Sequence, residues 1–228
     1  YDAWKQIHIR YRRDIPKLLK YTFLSVISDG ANSRLGSVFT PYDFYYTWNR
    51  VDDEKSAAQN GIGTLLSLIE GALTPKRLLA LLRDFIYYPD KSDNQTVVVA
   101  RYPQFFAANK IFDHIKAHLR PMGDGKGGTY FGATGCGKTY TMLYLTRLLI
   151  QREQDFFQNP TVIIITDRED LDSQAAKIFT NAKTFLGEEE VLSIESRQDL
   201  ANKLKAKPSG GVYLTTIQKQ IEASASKQ

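Results

Sequence analysis

Eight residues, Gly132–Thr139, read Gly-Ala-Thr-Gly-Cys-Gly-Lys-Thr and fit the spacing G-x-x-x-x-G-K-[ST]. The glycines lack the Cβ atom that would hinder the backbone from curling with its N–H groups turned inward. Lys138 is then placed to reach the β- and γ-phosphates of a nucleotide, and the hydroxyl of Thr139 to ligate Mg²⁺. The pattern predicts a binding loop for ATP or GTP with these ligand-contacting residues: Gly132, Thr134, Gly135, Cys136, Gly137, Lys138 and Thr139.

The elements predicted around this segment suit a phosphate-binding loop. A short apolar stretch at 129–131 predicts a strand before it, and apolar residues at helical spacing predict a helix over 138–152 after it. Cys136, the single cysteine, has no histidine near it in sequence, so a role as catalytic nucleophile is disfavoured. Because the chain has a single cysteine, no intrachain disulfide can form, and a reducing compartment is expected.

The composition of the 228 residues is that of a globular protein with one large or two small domains, since 43% are apolar and 12% aromatic. No apolar run approaches the roughly 20 residues that a membrane helix needs, and the first residues do not form a signal peptide. We therefore expect a soluble, cytoplasmic protein without a membrane partner. The net charge of +5 allows a polyanionic partner such as DNA.

The first third of the chain predicts a small α+β segment followed by helices. Residues 2–19 have helical spacing and a basic face that is either solvated or in contact with nucleic acid. Residues 22–28 and 35–39 predict a hairpin, and 41–48 a short aromatic helix. After a polar stretch, two helices are predicted over 62–73 and from residue 75. The second of them is expected to bury four apolar side chains: Leu78, Leu79, Leu82 and Phe85.

From residue 97 onward, apolar runs alternate with helical patterns, which predicts an α/β fold with a parallel sheet and helices on both faces. Residues 161–166 are apolar on both faces, as expected of a central strand. The predicted strands are 129–131, 161–166, 191–194 and 211–215. The predicted helices are 104–119, 138–152, 170–180 and 197–205.

Further segments stand in a specific order around the loop: RDIP at 13–16, VISDG at 26–30, RLGS at 34–37, RYPQ at 101–104, TDR at 166–168, LDSQ at 171–174 and YLTTIQK at 213–219. In this order, the chain resembles the motor (restriction) subunit of type I restriction-modification enzymes. The resemblance implies an endonuclease domain before two RecA-like motor domains of helicase superfamily 2. It also implies ATP and Mg²⁺ as cofactors, double-stranded DNA as substrate, and methylation and specificity subunits as partners.

The resemblance assigns roles to residues and to parts of the chain. It makes Gln104 the reader of the adenine edge, with Lys138 and Thr139 as the phosphate and Mg²⁺ residues of the catalytic site. It implies contacts with the DNA backbone by Thr166, Asp167, Arg168, Thr215 and Thr216. It divides the chain into the end of an endonuclease domain (1–58), a helical linker (59–94) and the first part of a RecA-like domain (95–228).

Two departures from the family pattern lead us to expect an excerpt of a longer protein. No Asp-Glu pair follows Lys138 to orient water, so we expect the chain alone to bind ATP but to hydrolyse it negligibly. The glutamine and tyrosine of the nuclease helix match only Gln6 and Tyr11, which four residues separate where three are expected.

Other assignments stay open at this stage. Asp167 is an alternative Mg²⁺ ligand, His114 and His118 have the i, i+4 spacing of a zinc pair, and Asp43, Asp53 and Lys55 imitate a nuclease triad. The alternative functions are another superfamily 2 helicase, a type III restriction subunit, or a nucleotide-dependent interaction module without ATPase activity.

Overall fold

The structure is a computed structural model that describes residues 1–52, 60–91, 96–167, 169–188 and 191–221. It is a mixed α/β protein with two compact units, Tyr1–Thr141 and Met142–Gln228. Within the described residues, no helix has the length and apolar character needed to cross a membrane.

The chain begins with a helical segment that changes type along its length. It consists of α1 (Asp2–Lys5), a π-helix (Gln6–Tyr11) and α2 (Arg12–Asp14). The helix predicted over 2–19 ends early because Ile15 precedes a proline and leaves the α conformation, with φ −137° and ψ 57°. A separate 3-10 helix, Pro16–Tyr21, follows.

The predicted hairpin is present, with strands shorter than expected. β1 (Ser25–Ser28) pairs antiparallel with β2 (Ser33–Gly36), and Leu35 continues into a backbone bridge with Tyr46. The turn between the strands is closed by Asp29, whose carboxylate accepts hydrogen bonds from the backbone N–H groups of Ala31 and Asn32. The aromatic helix predicted over 41–48 is only a 3-10 turn, Tyr42–Phe44, because the next residues are extended and Tyr46 pairs with β2.

Two helices follow, α3 (Gly63–Ala72) and α4 (Pro75–Asp84). The predicted buried face of α4 is partly wrong: Leu79 is 67% exposed and Leu82 is also exposed, whereas Leu81 and Asp84 are buried. Burial of Asp84 is tolerated because its carboxylate pairs with the guanidinium of Arg83 at 2.9 Å.

The next elements lead to the glycine-rich loop. β3 (Ile86–Tyr87) pairs antiparallel with β4 (Val98–Val99), and α5 (Tyr102–His118) follows. The strand predicted at 129–131 is absent, and Phe131 is 91% exposed. This three-residue run lies between glycines and forms no ladder with a described strand, so little apolar surface is buried to hold it extended.

The second unit contains a parallel three-stranded sheet in the order β5-β7-β6, with β5 (Val162–Thr166), β6 (Val191–Ser193) and β7 (Val212–Thr216). The parallel pairing confirms the α/β prediction, but the central strand is β7, which is buried throughout. β5 is paired on one side only among the described strands, and Ile165 is 57% exposed. Apolar residues on both faces thus did not identify the central strand.

Among the described residues, six helices belong wholly or partly to this unit, and α6 begins in the first unit. They are α6 (Lys138–Gln151), α7 (Gln154–Phe157), α8 (Glu169–Thr180), α9 (Lys183–Leu186), α10 (Arg197–Ala206) and α11 (Ile217–Ile221). The side chain of Ser196 accepts a hydrogen bond from the backbone N–H of Asp199 and caps the N-terminus of α10.

Candidate functional site

The segment Gly132–Thr139 forms a tight loop that ends in the first turn of α6. Gly135 and Gly137 have φ angles of +78° and +82°, a region that residues with a Cβ atom rarely adopt. The N–H of Cys136 donates to the carbonyl of Ala133 at 3.2 Å and closes a turn inside the loop. The positive-φ glycines and this turn produce the curled backbone that the sequence pattern predicts.

The third glycine is required by close packing. A Cβ atom on Gly132 would lie 2.9 Å from the Sγ of Cys136 and 3.0 Å from the hydroxyl of Tyr130, closer than such contacts normally are. Only a residue without a side chain fits at this position unless one of those side chains moves. Cys136 therefore has a packing role in the loop, beside its predicted place in nucleotide binding.

Lys138 folds back over the loop. Its ammonium donates hydrogen bonds to the carbonyl oxygens of Gly132 at 2.9 Å and Ala133 at 3.1 Å. An ammonium has three donors, so these two contacts leave one for a further acceptor. The side chain is exposed, and the loop therefore presents a positive charge to solvent at the N-terminus of α6, where the helix dipole also favours an anion.

Gln104 connects the start of α5 to this loop. Its side-chain oxygen accepts the backbone N–H of Arg101 at 2.9 Å and so caps the start of α5, and the residue is 5% exposed. The guanidinium of Arg101 has no acceptor, so the reciprocal bond of a capping box is not formed. Its amide nitrogen lies 3.4 Å from the carbonyl oxygens of both Cys136 and Gly137. Helix capping and contact with the loop therefore coexist in one side chain, and neither excludes reading of a base.

A cleft of about 510 Å³ opens beside Gln104. The sequence pattern did not identify it, since most of its residues belong to no motif. The only sequence signal was the density of aromatic residues between 42 and 48. Six of the residues that line it are Tyr46, Arg101, Gln104, Gly135, Gly137 and Tyr140.

Thr139 lies partly exposed in the first turn of α6, directly after Lys138. A hydroxyl at this position is a hard oxygen donor, which suits Mg²⁺. The donor chemistry and the glycine-lined curvature of the loop fit a nucleotide with its metal ion.

The residues predicted to face DNA are grouped in the second unit at the ends of two adjacent strands. Thr166 at the end of β5 is the register partner of Thr216 at the end of β7, and Asp167 follows in an exposed position. Thr215 and Thr216 are fully buried. The hydroxyl of Thr215 accepts the side-chain amide of Gln220 at 2.8 Å, so its present contacts are internal. Arg168 lies outside the described residues.

An ionic cluster lies near the same strand ends. The ammonium of Lys219 lies 3.2 Å from Glu195 and 3.6 Å from Asp172. Burial lowers the pKa of Lys219, but the hydrogen bond and charge of Glu195, together with Asp172, outweigh it and hold that pKa above its ordinary value. Lys219 stays charged and links three separate segments of the second unit.

The alternative metal assignments gain no support. The rings of His114 and His118 lie 4.3 Å apart, but His118 is paired with Asp124 at 2.7 Å and His114 contacts the carbonyl of Gly127. Within the described part of the chain, no group of three or more His, Cys, Asp or Glu side chains converges to hold a metal ion. Asp53 and Lys55 of the imitated nuclease triad lie outside the described residues.

The loop, Gln104 and the parallel sheet together can be compared with known proteins. Residues 103–228, more than half of the chain, match the SWI2/SNF2 ATPase family. The chain belongs to this family. The match begins one residue before Gln104 and includes the whole glycine-rich loop and the sheet, so the parts predicted to bind nucleotide and DNA all lie within this SWI2/SNF2 ATPase region.

Three relatives of this SWI2/SNF2 ATPase resemble it over almost its whole length. The HindI type I restriction enzyme endonuclease subunit of Haemophilus influenzae is 34% identical over 92% of the chain. A candidate type I restriction enzyme endonuclease subunit of Methanocaldococcus jannaschii, MjaIXP, is 30% identical over 96% of the chain. The SsaAORF53P type I restriction enzyme endonuclease subunit of Staphylococcus saprophyticus is 28% identical over 97%.

These relatives are much longer than the chain. It covers 20%, 21% and 22% of their respective lengths. The resemblance to type I restriction enzyme endonuclease subunits that the sequence motifs predicted is confirmed.

Proposed function

We propose that this chain is the nucleotide-binding part of the endonuclease subunit of a type I restriction enzyme, in which ATP hydrolysis drives movement along double-stranded DNA. The observation that carries the proposal is the packing of the buried Gln104 amide against the same loop over which Lys138 folds. This arrangement joins a base-reading group to a phosphate-binding group. The SWI2/SNF2 ATPase match and the restriction-enzyme relatives support it.

Each residue of the site has a role in this proposal. Lys138 turns from the carbonyls of Gly132 and Ala133 towards the β- and γ-phosphates, and backbone N–H groups of the loop would bind the remaining phosphate oxygens. Thr139 would hold Mg²⁺. When bound, that ion neutralises charge on the phosphates as the terminal phosphoryl group is transferred.

The N-terminal part of the chain would be the end of the nuclease domain (1–58), joined by a helical linker (59–94) to the motor part (95–228). The π-helix Gln6–Tyr11 supports the assignment of the first part to a nuclease domain. In a π-helix the bonded residues are five apart, so an extra residue is absorbed and Gln6 and Tyr11 lie one turn from each other despite their wider spacing.

The partners in this proposal are double-stranded DNA and the methylation and specificity subunits, in the cytoplasm. In the restriction complex, base recognition belongs to another subunit, and this chain touches the DNA backbone. The present internal contacts of Thr215 and Thr216 give them a positioning role at the strand ends. The exposed residues beside them would then make the direct contacts with the DNA backbone.

The proposal is tested by ATP hydrolysis in the complete restriction complex. We expect little hydrolysis without DNA and strong stimulation by unmodified double-stranded DNA that carries the recognition sequence. ATP binding without DNA-stimulated hydrolysis would instead support an interaction module, and absence of ATP binding would reject both functions. The chain alone is expected to bind ATP with Mg²⁺ and to hydrolyse it negligibly.

Substitution of Gln104 should separate helix capping from base reading. The Gln104 amide offers donors and an acceptor that match N7 and the N6 amino group of adenine, whereas guanine presents O6 in place of N6. We expect Gln104→Ala to weaken ATP binding by about 1–3 kcal/mol and to reduce the preference for ATP over GTP. Titration calorimetry with both nucleotides measures the two effects.

Gln104→Glu is the matched variant. Glutamate at this helix position keeps the acceptor for the N–H of Arg101 but loses both amide donors. Its carboxylate would face the carbonyl oxygens of Cys136 and Gly137, so we expect a lower urea midpoint and, in the folded protein, loss of discrimination between ATP and GTP. Unchanged discrimination in both variants would show that Gln104 acts only in the fold.

DNA binding by this chain alone, without the other subunits, should be independent of DNA sequence and sensitive to salt, because it depends on contacts with phosphates. We expect Arg168→Ala to lower the slope of log K against log salt by about 1. Fluorescence anisotropy with two unrelated duplexes measures the slope.

Arg13→Ala is the control for this experiment, since Arg13 belongs to the basic face of the first helical segment and is already paired with Asp14 at 2.6 Å. Its slope should equal that of the natural protein. An Arg13 variant that lost slope while the Arg168 variant kept it would place the DNA on that basic face.

A further inference from the structure

One wall of the cleft beside Gln104 comes from a part of the sequence that precedes the SWI2/SNF2 ATPase region. Tyr46 lines this wall, 58 positions before Gln104. The two positive-φ glycines of the loop, Gly135 and Gly137, also line the cleft. The cleft therefore extends from the candidate phosphate loop to an aromatic ring of the hairpin region.

The position of Tyr46 is fixed by its backbone. Its N–H donates to the carbonyl of Leu35, and the N–H of Leu35 donates to the carbonyl of Tyr46, both at 2.9 Å. These bonds attach Tyr46 to β2 through its main chain, so a change of side chain leaves its anchorage in place. The ring itself is partly exposed.

Tyr46 and Arg101 form a pair of planar groups at the cleft. The guanidinium carbon of Arg101 lies 4.7 Å from the centre of the Tyr46 ring. Both aromatic rings and guanidinium planes stack on nucleic-acid bases. The neighbouring lining residues Leu35, Pro41 and Val98 are apolar, so the cleft combines flat and apolar surfaces with the hydrogen-bonding edge of Gln104.

We propose that this cleft holds the purine base of the bound nucleotide and that Tyr46 is its stacking partner. The base would lie against the Tyr46 and Arg101 planes with its edge towards Gln104, while its phosphates reach the loop. The proposal rests on the proposed function, since it requires a nucleotide in the loop Gly132–Thr139. The proposal makes the hairpin region part of the nucleotide site. Exchange or loss of the nucleotide would then directly change a contact with the proposed end of the nuclease domain.

The test compares ATP with tripolyphosphate, which carries the phosphates without a base, by titration calorimetry in the complete protein with Mg²⁺. We expect Tyr46→Leu, which keeps apolar bulk but removes the plane, to weaken ATP binding about tenfold or more. Its affinity for tripolyphosphate should not change. Tyr46→Phe should bind both ligands as the natural protein does.

Tyr42→Leu is the matched control, because the guanidinium of Arg34 lies 5.2 Å from the Tyr42 ring in a similar pair that does not line the cleft. It should leave both affinities unchanged. Equal ATP affinity in Tyr46→Leu and the natural protein would overturn the stacking role but not the proposed function. Parallel loss of both ligands in Tyr46→Leu would also overturn it, because the effect would then lie in the loop. Failure of the natural protein to bind either ligand would reject the proposed function itself.

Discussion

Lys138→Ala should abolish most of the affinity for ATP. The substitution removes the ammonium that folds over the loop and with it a charge-assisted contact to the phosphates. Loss of such a contact reduces the binding free energy by about 1.5–3 kcal/mol, which raises the dissociation constant for ATP about tenfold to hundredfold. Titration calorimetry with ATP and Mg²⁺ measures it directly.

Lys126→Ala is the control for this effect. Lys126 lies on the same irregular segment and carries the same charge, but its ammonium is paired with Asp124 at 3.1 Å and is well exposed. It should bind ATP as the natural protein does. If the Lys138 variant kept full affinity as well, the assignment of Gly132–Thr139 as a phosphate-binding loop would be wrong.

Gly137→Ala should destabilise the first unit more than Gly135→Ala. Both alanines must adopt a left-handed backbone, at a cost of about 1–2 kcal/mol. At Gly135 the added Cβ atom meets open space, whereas at Gly137 it meets the amide nitrogen of Gln104. The amide is the far end of a side chain and must move aside, and loss of its hydrogen bond with the N–H of Arg101 adds about 1 kcal/mol. Urea unfolding followed by circular dichroism gives the two free energies of unfolding.

A double-mutant cycle isolates the steric part of this difference. Gln104→Ala removes the side chain with which the new Cβ atom collides, so Gly137→Ala should cost less in that background than in the natural one. The same cycle with Gly135→Ala should show additive effects. Additive behaviour at Gly137 would contradict the packing of Gln104 against the loop.

The backbone of the glycine-rich segment could be predicted from sequence because the information for it is local, whereas its binding of phosphate stays a prediction. Left-handed glycines, a lysine and a helix start are properties of neighbouring residues, and the structure reproduces the curled backbone at Gly135 and Gly137. The predicted helices 104–119 and 138–152 correspond to α5 and α6 within two residues at each end, because their apolar spacing is long and regular.

The wrong predictions concern elements whose structure depends on contacts with residues distant in sequence. The apolar run at 129–131 has no strand beside it, and an apolar strand at 161–166 was not distinguishable in sequence from the central strand β7. In α4 Asp84 is buried while Leu79 is exposed, which a rule based on hydrophobicity does not foresee. Each error concerns a partner that the local pattern does not contain.

The cleft was missed for a similar reason. Tyr46 and Gln104 are far apart in sequence, and only the structure shows the Tyr46 ring beside Arg101 and Tyr102 at the start of α5. Gln104 was found through the family resemblance, but its hydrogen bond with the N–H of Arg101 needed the structure, because the cap residue is an arginine, which lacks the side-chain acceptor of a capping box.

Amide hydrogen exchange with and without ATP and Mg²⁺ tests the central claim most directly, since it reports where nucleotide binds without requiring hydrolysis. We expect ATP to slow exchange in two separate peptides, one covering residues 132–141 and one covering residues 101–105, because the loop and the capping residue would hold the ligand together. Lys138→Ala should remove this protection at the same ATP concentration. Protection confined to other parts of the chain, or unchanged exchange in both peptides at saturating ATP, would contradict the account.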